Sequence, residues 1–499
     1  MQYLILGNSA AAIAAVDAIR SIDEEGAITM VSPEDCLAYG TPLISYVLEG
    51  KTTVQNAALR DERWYVENGV ECVFGAGKAA VALDASAKVV TLEDGTQLPY
   101  DKLLVATGST PSQPRVEGLP ESAPNSFTFN TMGDAIGIMD YLHDDLAAKF
   151  AAGEEVNVII SGSGLIGAKA AEGICEHVTT TYLVGHAQRV LRKLLDEEAS
   201  PLLEALMEQN GIVNVPGTVI VSVECDEAGK VVQATLDDGR VLPCDILITA
   251  IGVRPNVGVL ASAGAQVTRG AVVDEHLRTS LPDVYAAGDV ANTHNTLLGE
   301  DVPLALWPTA SDQGHVAGRH MAGDADATFD GTFARNAVGF FGQMNILGCG
   351  IINPAPDAPD IESVVSVEKE EAPGGADDAQ AGVRYSKFNV RDGKLVGYLL
   401  MNRPEAAGIY TTIIKKGIPL AELPDDIFER TPEMRDLPRP LRERSMLKGY
   451  VTGRHAAHID IVDSSMLVAP VSPSAALAAE GGATTDLGAQ SGTTTRKGL

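Results

Sequence analysis

Aromatic and basic residues are scarce in this chain of 499 residues. Only 5% of the residues are aromatic, and 37 Lys and Arg stand against 67 Asp and Glu, which gives a formal net charge of -30 at pH 7. Such a charge repels a phosphate backbone, because proteins bind nucleic acids through clustered Lys and Arg that release counterions. We therefore expect no nucleic-acid partner.

Cysteine is also sparse, and its spacing argues against two kinds of redox centre. The six cysteines are dispersed, with no C-x-x-C pair and no metal-ligand spacing: Cys36, Cys72, Cys175, Cys225, Cys244 and Cys349. Neither an iron–sulfur cluster nor a redox dithiol fits this pattern. The histidines add no ligand spacing, so no metal site is predicted. Dispersed cysteines in a chain of this length are typical of reduced thiols in the cytoplasm.

Long apolar runs are missing as well. No stretch of about 18 apolar residues occurs, so we predict no membrane span. Residues 1 to 7 already have the pattern of a core strand, and we therefore expect no secretory leader and a cytoplasmic location.

Glycine and aliphatic residues are abundant. With 50 Gly and 45% hydrophobic residues, the chain is typical of a globular α/β protein. Its length predicts two to four domains of roughly 100–150 residues.

The first candidate site lies between a strand and a helix at residues 3 to 20, where Gly7-Asn-Ser9-Ala-Ala-Ala12 replaces a dinucleotide-binding fingerprint. Backbone N–H groups at such a helix start can receive a pyrophosphate. Glu34 follows the next strand and is placed to bind ribose hydroxyls. A plain tight turn and an exposed loop carboxylate are the alternatives.

A complete G-x-G-x-x-G, Gly162-Ser-Gly164-Leu-Ile-Gly167, follows the apolar strand that begins at residue 156. The carboxylate expected at the end of the next strand is missing, because Gly185 and His186 occupy that position. Three basic residues nearby could meet a 2′-phosphate, namely Arg189, Arg192 and Lys193. Since basic residues on a helix face are usually solvated, the sequence favours NADH over NADPH.

A pattern of hairpin, buried strand and small-residue exit occurs twice. It covers residues 88 to 111, which include Thr107 and Gly108, and residues 231 to 256, which include Gly252. This echo predicts an internal duplication of about 150 residues. A further apolar strand ends in Gly288-Asp289, whose carboxylate can bind a sugar or ribitol hydroxyl.

The fold class predicted is α/β, with two Rossmann-like dinucleotide-binding domains and a C-terminal α+β domain. The first domain is discontinuous, and the last segment is of low complexity. The boundaries are 1–118 with 253–330 for the first domain, 119–252 for the second, 331–446 for the third and 447–499 for the last segment.

These motifs together resemble the two-dinucleotide-binding-domain flavoproteins of the pyridine nucleotide-disulfide oxidoreductase superfamily. Residues 38 to 51 and 385 to 414 are most similar to rubredoxin reductases, to the flavin part of NADH-dependent nitrite reductases and to reductase subunits of anaerobic oxidoreductase complexes. The resemblance implies that FAD binds along the first fingerprint and NAD(H) along the second. The implied FAD residues are Gly7, Ser9, Ala12, Glu34, Thr107, Gly108, Asp289 and Trp307, with Pro308 beside the ring. The implied NADH residues are Gly162, Gly164, Gly167 and Gly252.

Two departures from this family pattern are informative. Members that reduce disulfides carry a cysteine where this chain has Tyr39, so a thiol relay is not expected. Many relatives have a glutamate two residues after the last fingerprint glycine, facing a lysine near position 41. Here the two positions hold Lys169 and Thr41. Lys169 either supplies a cation near the flavin or extends from its helix into solvent.

The resemblance implies an FAD-dependent NAD(P)H:acceptor oxidoreductase. Three functions remain open at this point: a reductase subunit that exchanges electrons between NADH and a partner subunit, a stand-alone NADH oxidase or rubredoxin-type reductase, and a non-catalytic nucleotide-binding scaffold. Dimerisation through the third domain is also implied by the resemblance.

Overall fold

A computed structural model describes residues 1–355, 358, 360–369 and 383–442. Residues Met1–Asp436 form one compact unit, and a second unit runs from Leu437 to Leu499. The segment 447–499 that was predicted to be of low complexity lies outside the described residues. The prediction of domain boundaries within the first unit stays a prediction.

The strands contain the short apolar runs of the sequence. Their bounds are β1 Gln2–Leu6, β2 Ala27–Ser32, β3 Val70–Phe74, β4 Ala80–Asp84, β5 Val89–Leu92, β6 Gln97–Pro99, β7 Lys102–Val105, β8 Ser109–Pro111, β9 Ser126–Thr128, β10 Asn157–Ser161, β11 Thr180–Gly185, β12 Ile212–Pro216, β13 Ile220–Cys225, β14 Val231–Leu236, β15 Val241–Pro243, β16 Ile246–Thr249, β17 Val253–Pro255, β18 Val284–Ala286, β19 Asn292–Asn295, β20 Glu300–Pro303, β21 Arg335–Phe340, β22 Met344–Gly350, β23 Glu362–Lys369, β24 Val383–Arg391 and β25 Lys394–Met401.

The α-helices are mostly short and rich in alanine or leucine. Their bounds are α1 Ala10–Arg20, α2 Ile44–Leu48, α3 Glu62–Glu67, α4 Met132–Asp140, α5 Ala147–Ala152, α6 Leu165–Cys175, α7 Ser200–Gln209, α8 Gly258–Ser262, α9 Trp307–Met321 and α10 Pro404–Lys416. Among the described residues, no helix is both long and apolar enough to cross a membrane.

The first sheet has the strand order β18-β7-β1-β2-β3, and all of its pairs are parallel. Residues Tyr3–Leu6 of its central strand are at most 1% exposed, as expected for a sheet that is covered on both faces. The carboxyl ends of the four strands β1, β2, β7 and β18 therefore meet at one edge.

The second sheet repeats this arrangement, with the order β12-β11-β10-β16-β9 and parallel pairing throughout. Each parallel sheet has its own three-stranded antiparallel companion, β4-β5-β6 for the first and β13-β14-β15 for the second. The predicted duplication is thus confirmed in the hairpins and in the buried strands that follow them. The prediction of an α/β chain with two Rossmann-like units is also confirmed.

The third large sheet is antiparallel, in the order β21-β22-β25-β24-β23. Helix α10 packs against it, and the rings of Phe388 and Tyr410 lie 4.8 Å apart between sheet and helix. This α+β arrangement agrees with the fold predicted for the C-terminal domain.

Helices α1 and α9 cross at backbone contact. A Cβ atom at Gly314 would overlap the carbonyl oxygen of Ala11, and one at Gly318 would overlap that of Ala15. The two glycines, four residues apart, lie on the same face of α9. This close approach holds the second half of α9 against α1.

We predict that Gly314→Ala destabilises the protein by about 1–3 kcal/mol, because the added methyl group must push the two helices apart. Gly408→Ala is the matched control, since this exposed position in α10 has open space around its Cβ. There we expect a gain of about 0.5–1 kcal/mol, because alanine favours a helix interior. Denaturant unfolding monitored by circular dichroism measures both, and equal stability of the two variants would contradict the crossing.

Candidate functional site

The first group of predicted residues lies at the carboxyl edge of the first parallel sheet. Gly7 follows β1, Glu34 follows β2, Thr107 and Gly108 follow β7, and Asp289 follows β18. This edge is where open α/β sheets bind their ligands.

The turn after β1 depends on the missing side chain of Gly7. Its φ is +126°, and a Cβ atom here would overlap the carbonyl oxygen of Ala106 at the exit of β7. Ser9 is the N-cap of α1, but its side chain makes no capping hydrogen bond. The first N–H groups of a helix have no acceptor within the helix, so this start suits a phosphate. Ala12 is fully buried one turn further along.

Glu34 is held by a phenol. The hydroxyl of Tyr39 donates to Glu34 Oε2 at 2.9 Å and accepts from the backbone N–H of Met132 at 3.0 Å. Burial raises the pKa of Glu34, and the hydrogen bond from Tyr39 partly opposes that rise. The alternative of an exposed loop carboxylate is therefore wrong, although the binding of ribose by Glu34 stays a prediction.

Asp289 is a second half-buried carboxylate at this edge. Ser109 Oγ donates to its Oδ2 at 2.8 Å, and burial raises its pKa. Within the described residues, neither Asp289 nor Glu34 has an ion-pair partner. A buried carboxylate without a cation is destabilising unless a donor satisfies it, and ligand hydroxyls are suitable donors.

The exits of β7 and β18 bring the remaining predicted residues together. Thr107 is fixed to Asn256, whose Nδ2 donates to the Thr107 carbonyl at 2.8 Å. Gly108 has a φ of +65° with open space around its Cβ position. The Cβ position of Gly288 lies 3.5 Å from Ala11 Cβ in α1 and 3.6 Å from Ala310 Cβ in α9.

Trp307 is the first residue of α9, and its preceding N-cap, Leu306, has no side chain able to cap. Since Gly288 contacts the starts of both α1 and α9, the two helix N-termini flank the exit of β18. The residues that the resemblance assigns to FAD thus surround one edge of the first sheet. A flavin dinucleotide fits them in chemistry, with N–H groups for phosphates and carboxylates for hydroxyls.

The second group lies at the corresponding edge of the second sheet. Gly162 has a φ of +123°, and a Cβ atom there would overlap the carbonyl oxygen of Ala250. Gly167 packs equally closely on the carbonyl oxygen of Gly162. Gly164, the N-cap of α6, and Gly252, with a φ of +111°, both face open space. The geometry of the first turn is therefore repeated, and the start of α6 is accessible.

The end of β11 differs from the usual pattern in a specific way. A Cβ atom at Gly185 would overlap Ser163 Oγ, so the serine of the fingerprint fills the space that a strand-end side chain would need. Ser163 was not singled out by sequence reasoning. Its position as the variable residue of the fingerprint, combined with a glycine at the strand end, is the signal that could have found it.

Lys169 lies within the protein and not at its surface. Its ammonium group pairs with Glu172, donates to the Gly339 carbonyl at 3.1 Å and lies 4.9 Å from the centroid of the Tyr46 ring. Glu172 also accepts from the backbone N–H of Phe341, a residue with a φ of +54°. The alternative of a lysine extending into solvent is therefore wrong, whereas the proximity of Lys169 to a flavin stays a prediction.

A hydrogen-bond network beneath the first turn was also missed. Asn8 Nδ2 donates to the Cys36 carbonyl at 3.0 Å, Tyr65 donates to Asn8 Oδ1 at 2.8 Å, and the Ala38 N–H donates to Tyr65 at 2.9 Å. The network holds the loop between Glu34 and Tyr39 against the fingerprint. Asn8 lies between Gly7 and Ser9, but nothing local in the sequence identifies Tyr65 as its partner.

Comparison with known proteins agrees with this geometry. The profile of the pyridine nucleotide-disulphide oxidoreductase family matches residues 1–314. The epsilon subunit of NADH-dependent phenylglyoxylate dehydrogenase from Aromatoleum evansii is 31% identical over 346 residues, which are 69% of this chain and 78% of that protein.

Two further matches have different coverage. The assimilatory nitrate reductase electron transfer subunit of Bacillus subtilis (strain 168) is 28% identical over 401 residues, 80% of this chain but 47% of that protein, so this chain spans about half of that relative's length. The crystal structure of the covalent putidaredoxin reductase–putidaredoxin complex contains a chain that is 25% identical with a TM-score of 0.72, covering 84% of this chain and 94% of that one.

The family match covers more than half of the chain, and it includes both fingerprints and the exits of β7, β16 and β18. The sequence resemblance is therefore confirmed, and FAD and NAD(P)H are the cofactors of such proteins. The chain belongs to the pyridine nucleotide-disulphide oxidoreductase family and is an FAD-dependent NAD(P)H oxidoreductase.

Proposed function

We propose that this chain is the reductase part of a larger redox assembly, in which a reduced nicotinamide nucleotide delivers hydride at FAD and a partner protein exchanges the electrons. The proposal rests on one combination of features. The helices that follow both fingerprints, α1 and α6, begin without a side-chain cap, and Tyr39 occupies the position of a redox thiol. Electrons can enter by hydride transfer, but no internal dithiol is placed to receive them.

On the flavin side, the start of α1 at Gly7, Ser9 and Ala12 would receive the pyrophosphate. Glu34 would accept hydrogen bonds from ribose hydroxyls and Asp289 from ribitol hydroxyls. FAD, when bound, supplies the chemistry that accepts hydride and releases electrons to a carrier. The protein's own contribution is to orient the two nucleotides and exclude water between them.

On the nicotinamide side, the open start of α6 at Gly164 would receive the second pyrophosphate, and Gly252 would let the chain approach it closely. Lys169, two residues beyond Gly167, would supply positive charge near the flavin. Its pairing with Glu172 offsets that charge and fixes the ammonium group between α6 and the end of β21, at Gly339 to Phe341. We therefore propose that Lys169 tunes the flavin through its charge and does not act as an acid or a base.

Two observations favour a separate electron partner. Burial, helped by the charges of Glu34 and Asp35, raises the pKa of Cys36 to about 11, so this thiol stays protonated at neutral pH. Two relatives are named as a dehydrogenase subunit and as an electron transfer subunit. Both features fit a chain that passes electrons on without a thiol intermediate.

An anaerobic titration of the purified chain tests the proposal directly. We expect NADH, NADPH or both to bleach the visible absorbance of bound FAD. In the absence of a protein acceptor, we expect air to restore that absorbance slowly. Rapid oxygen consumption would instead identify a stand-alone oxidase. A failure of both NADH and NADPH to bleach the flavin would leave only a nucleotide-binding scaffold.

We predict that Gly164→Asp abolishes flavin reduction by nicotinamide donors while FAD stays bound. The φ of Gly164 is -80° and its Cβ position is open, so the variant can fold, yet its carboxylate would repel the incoming pyrophosphate. Stopped-flow absorbance measures the reduction rate, and the flavin-to-protein ratio measures FAD content. Gly164→Ala is the control, and normal turnover of the aspartate variant would refute the second nucleotide site.

Asp289→Asn should weaken FAD binding by about tenfold or more, since a hydrogen bond to a charged group contributes about 1.5–3 kcal/mol. Calorimetric titration of the apoprotein with FAD gives this value without an activity assay. Asp330→Asn, which changes an exposed carboxylate, is the control. Unchanged affinity in the Asp289 variant would remove Asp289 from the site.

The same substitution should change the pH dependence of apoprotein stability. Burial raises the pKa of Asp289 in the folded chain, so its stabilising contribution is present below the unfolded value of about 4 and is lost as the pH rises through the folded value. Asp289→Asn avoids this loss. We expect its Tm to exceed that of the unsubstituted apoprotein at pH 7, and a lower Tm would contradict the assignment of an uncompensated charge.

Cys36→Ser should leave the rate of electron transfer to an artificial acceptor within about twofold of the original, because a thiol with so high a pKa is a poor nucleophile. Steady-state kinetics with a dye acceptor measures this rate. A loss of two orders of magnitude would restore the thiol mechanism.

A further inference from the structure

At the nucleotide edge of the second sheet, the carboxylate that usually distinguishes NADH from NADPH is missing from the end of β11. A carboxylate at this strand end binds the 2′-hydroxyl of NADH and repels the 2′-phosphate of NADPH. In this chain β11 ends at Gly185, and Ser163 Oγ fills the space beside it. A phosphate at this point would therefore meet a hydroxyl and backbone groups.

The segment that follows β11 is locally basic in an acidic chain. Residues 186–195 contain His186, Arg189, Arg192 and Lys193, and the acidic residues nearest to them, Asp196 to Glu198, follow directly. Glu204 also reaches this segment, where its Oε1 accepts from the Val190 N–H at 2.8 Å. The sequence prediction assumed that these residues lie on a solvated helix face. The helix is wrong, because residues 186–194 form bends and turns and the next helix, α7, begins at Ser200, whereas Arg192 and Lys193 are exposed as expected.

Arg189 has hydrogen-bonding capacity that its surroundings do not use. Its side chain is 24% exposed, and its Nε atom is buried without a hydrogen-bond partner in the described part of the protein. Its nearest carboxylate oxygen belongs to Glu197 at 3.6 Å, and that side chain is 89% exposed. An exposed pair of this kind contributes little, so the guanidinium can exchange it for a phosphate.

The basic segment is anchored beside the fingerprint. The Leu191 N–H donates to the Ser163 carbonyl at 2.9 Å, and the Gly217 N–H donates to the Ala187 carbonyl at 3.0 Å. Further along, Asn353 Nδ2 donates to the Arg192 carbonyl at 3.0 Å. Backbone contacts thus hold Arg189 between two fixed points, close to the strand end where the 2′ position of a bound nucleotide lies.

We propose that this site accepts the 2′-phosphate of NADPH, with Arg189 as the residue that sets nucleotide preference and His186 and Arg192 as supporting donors. The proposal rests on the second nucleotide site proposed above. The guanidinium offers paired N–H donors that match phosphate oxygens, and a fixed loop reduces the entropy lost on binding. The chain therefore uses NADPH at least as efficiently as NADH.

The test compares the two nucleotides on the holoprotein by kinetics and by binding. We expect kcat/KM for NADPH to equal or exceed that for NADH, and 2′,5′-ADP to bind more tightly than 5′-ADP in calorimetric titrations. Arg189→Met should lower the NADPH-to-NADH ratio of kcat/KM by about tenfold or more. Arg240→Met is the matched control, because Arg240 is an exposed arginine that pairs with Asp238 in the connection between β14 and β15.

A second variant tests the strand end independently of Arg189. Ser163→Gly combined with Gly185→Asp removes the hydroxyl that occupies the Cβ position of residue 185 and introduces the missing carboxylate. We expect this double variant to prefer NADH and to lose affinity for 2′,5′-ADP.

The outcomes separate this proposal from the proposed function. Bleaching by NADH with a kcat/KM for NADPH below a tenth of that for NADH would overturn the 2′-phosphate site while leaving the reductase intact. An unchanged ratio in Arg189→Met would overturn the role of Arg189. If neither nucleotide reduces the flavin, the reductase proposal fails, and the binding of 2′,5′-ADP still decides whether the phosphate site exists.

Discussion

The architecture of both nucleotide edges depends on one steric constraint, which is contact between backbone atoms where a Cβ atom would not fit. At Gly7 the turn after β1 packs on the carbonyl oxygen of Ala106, and at Gly162 the turn after β10 packs on that of Ala250. Each contact pulls the start of the following helix over the exit of the neighbouring strand. The N–H groups of that helix then lie where a pyrophosphate can reach them.

The same edges carry groups that are poorly satisfied by the protein itself. Glu34 and Asp289 are half-buried carboxylates held by one hydroxyl each, from Tyr39 and Ser109. The guanidinium of Arg189 is similarly underused. Folded proteins keep such groups mainly where a ligand completes them, at some loss of stability in the unliganded state.

Much of the fold follows from local pattern. The hairpin between β5 and β6, the apolar run of β7 and their echoes at β14–β16 are short-range signals, and a hydrophobic strand with a small-residue exit has few alternatives. Both fingerprints are likewise contiguous in sequence. These features could be predicted because neighbouring residues alone determine them.

The details of the site could not be predicted in the same way, because their partners are distant in sequence. Tyr39 and Met132 are 93 residues apart, and Glu172 and Phe341 are 169 residues apart. The pairing of Lys169 with Glu172 lies within one helix turn, yet its burial is set by the end of β21, at Gly339 to Phe341. Arg189 was placed on a helix because spacing alone does not show that residues 186–195 turn back to the fingerprint.

The strand order of the first sheet has a consequence for synthesis on the ribosome. Strand β7 pairs with β1 early, but its other neighbour, β18, begins at Val284, after the whole second parallel sheet has been translated. At about 5–20 residues per second, the edge of β7 stays uncovered for roughly 10–40 s after Val105 is made. Helix α1 is covered by α9 later still, because α9 begins at Trp307. A nascent chain of this protein therefore exposes the edge of β7, where chaperones can bind. This edge is covered only when β18, which follows the second parallel sheet in the sequence, has been made.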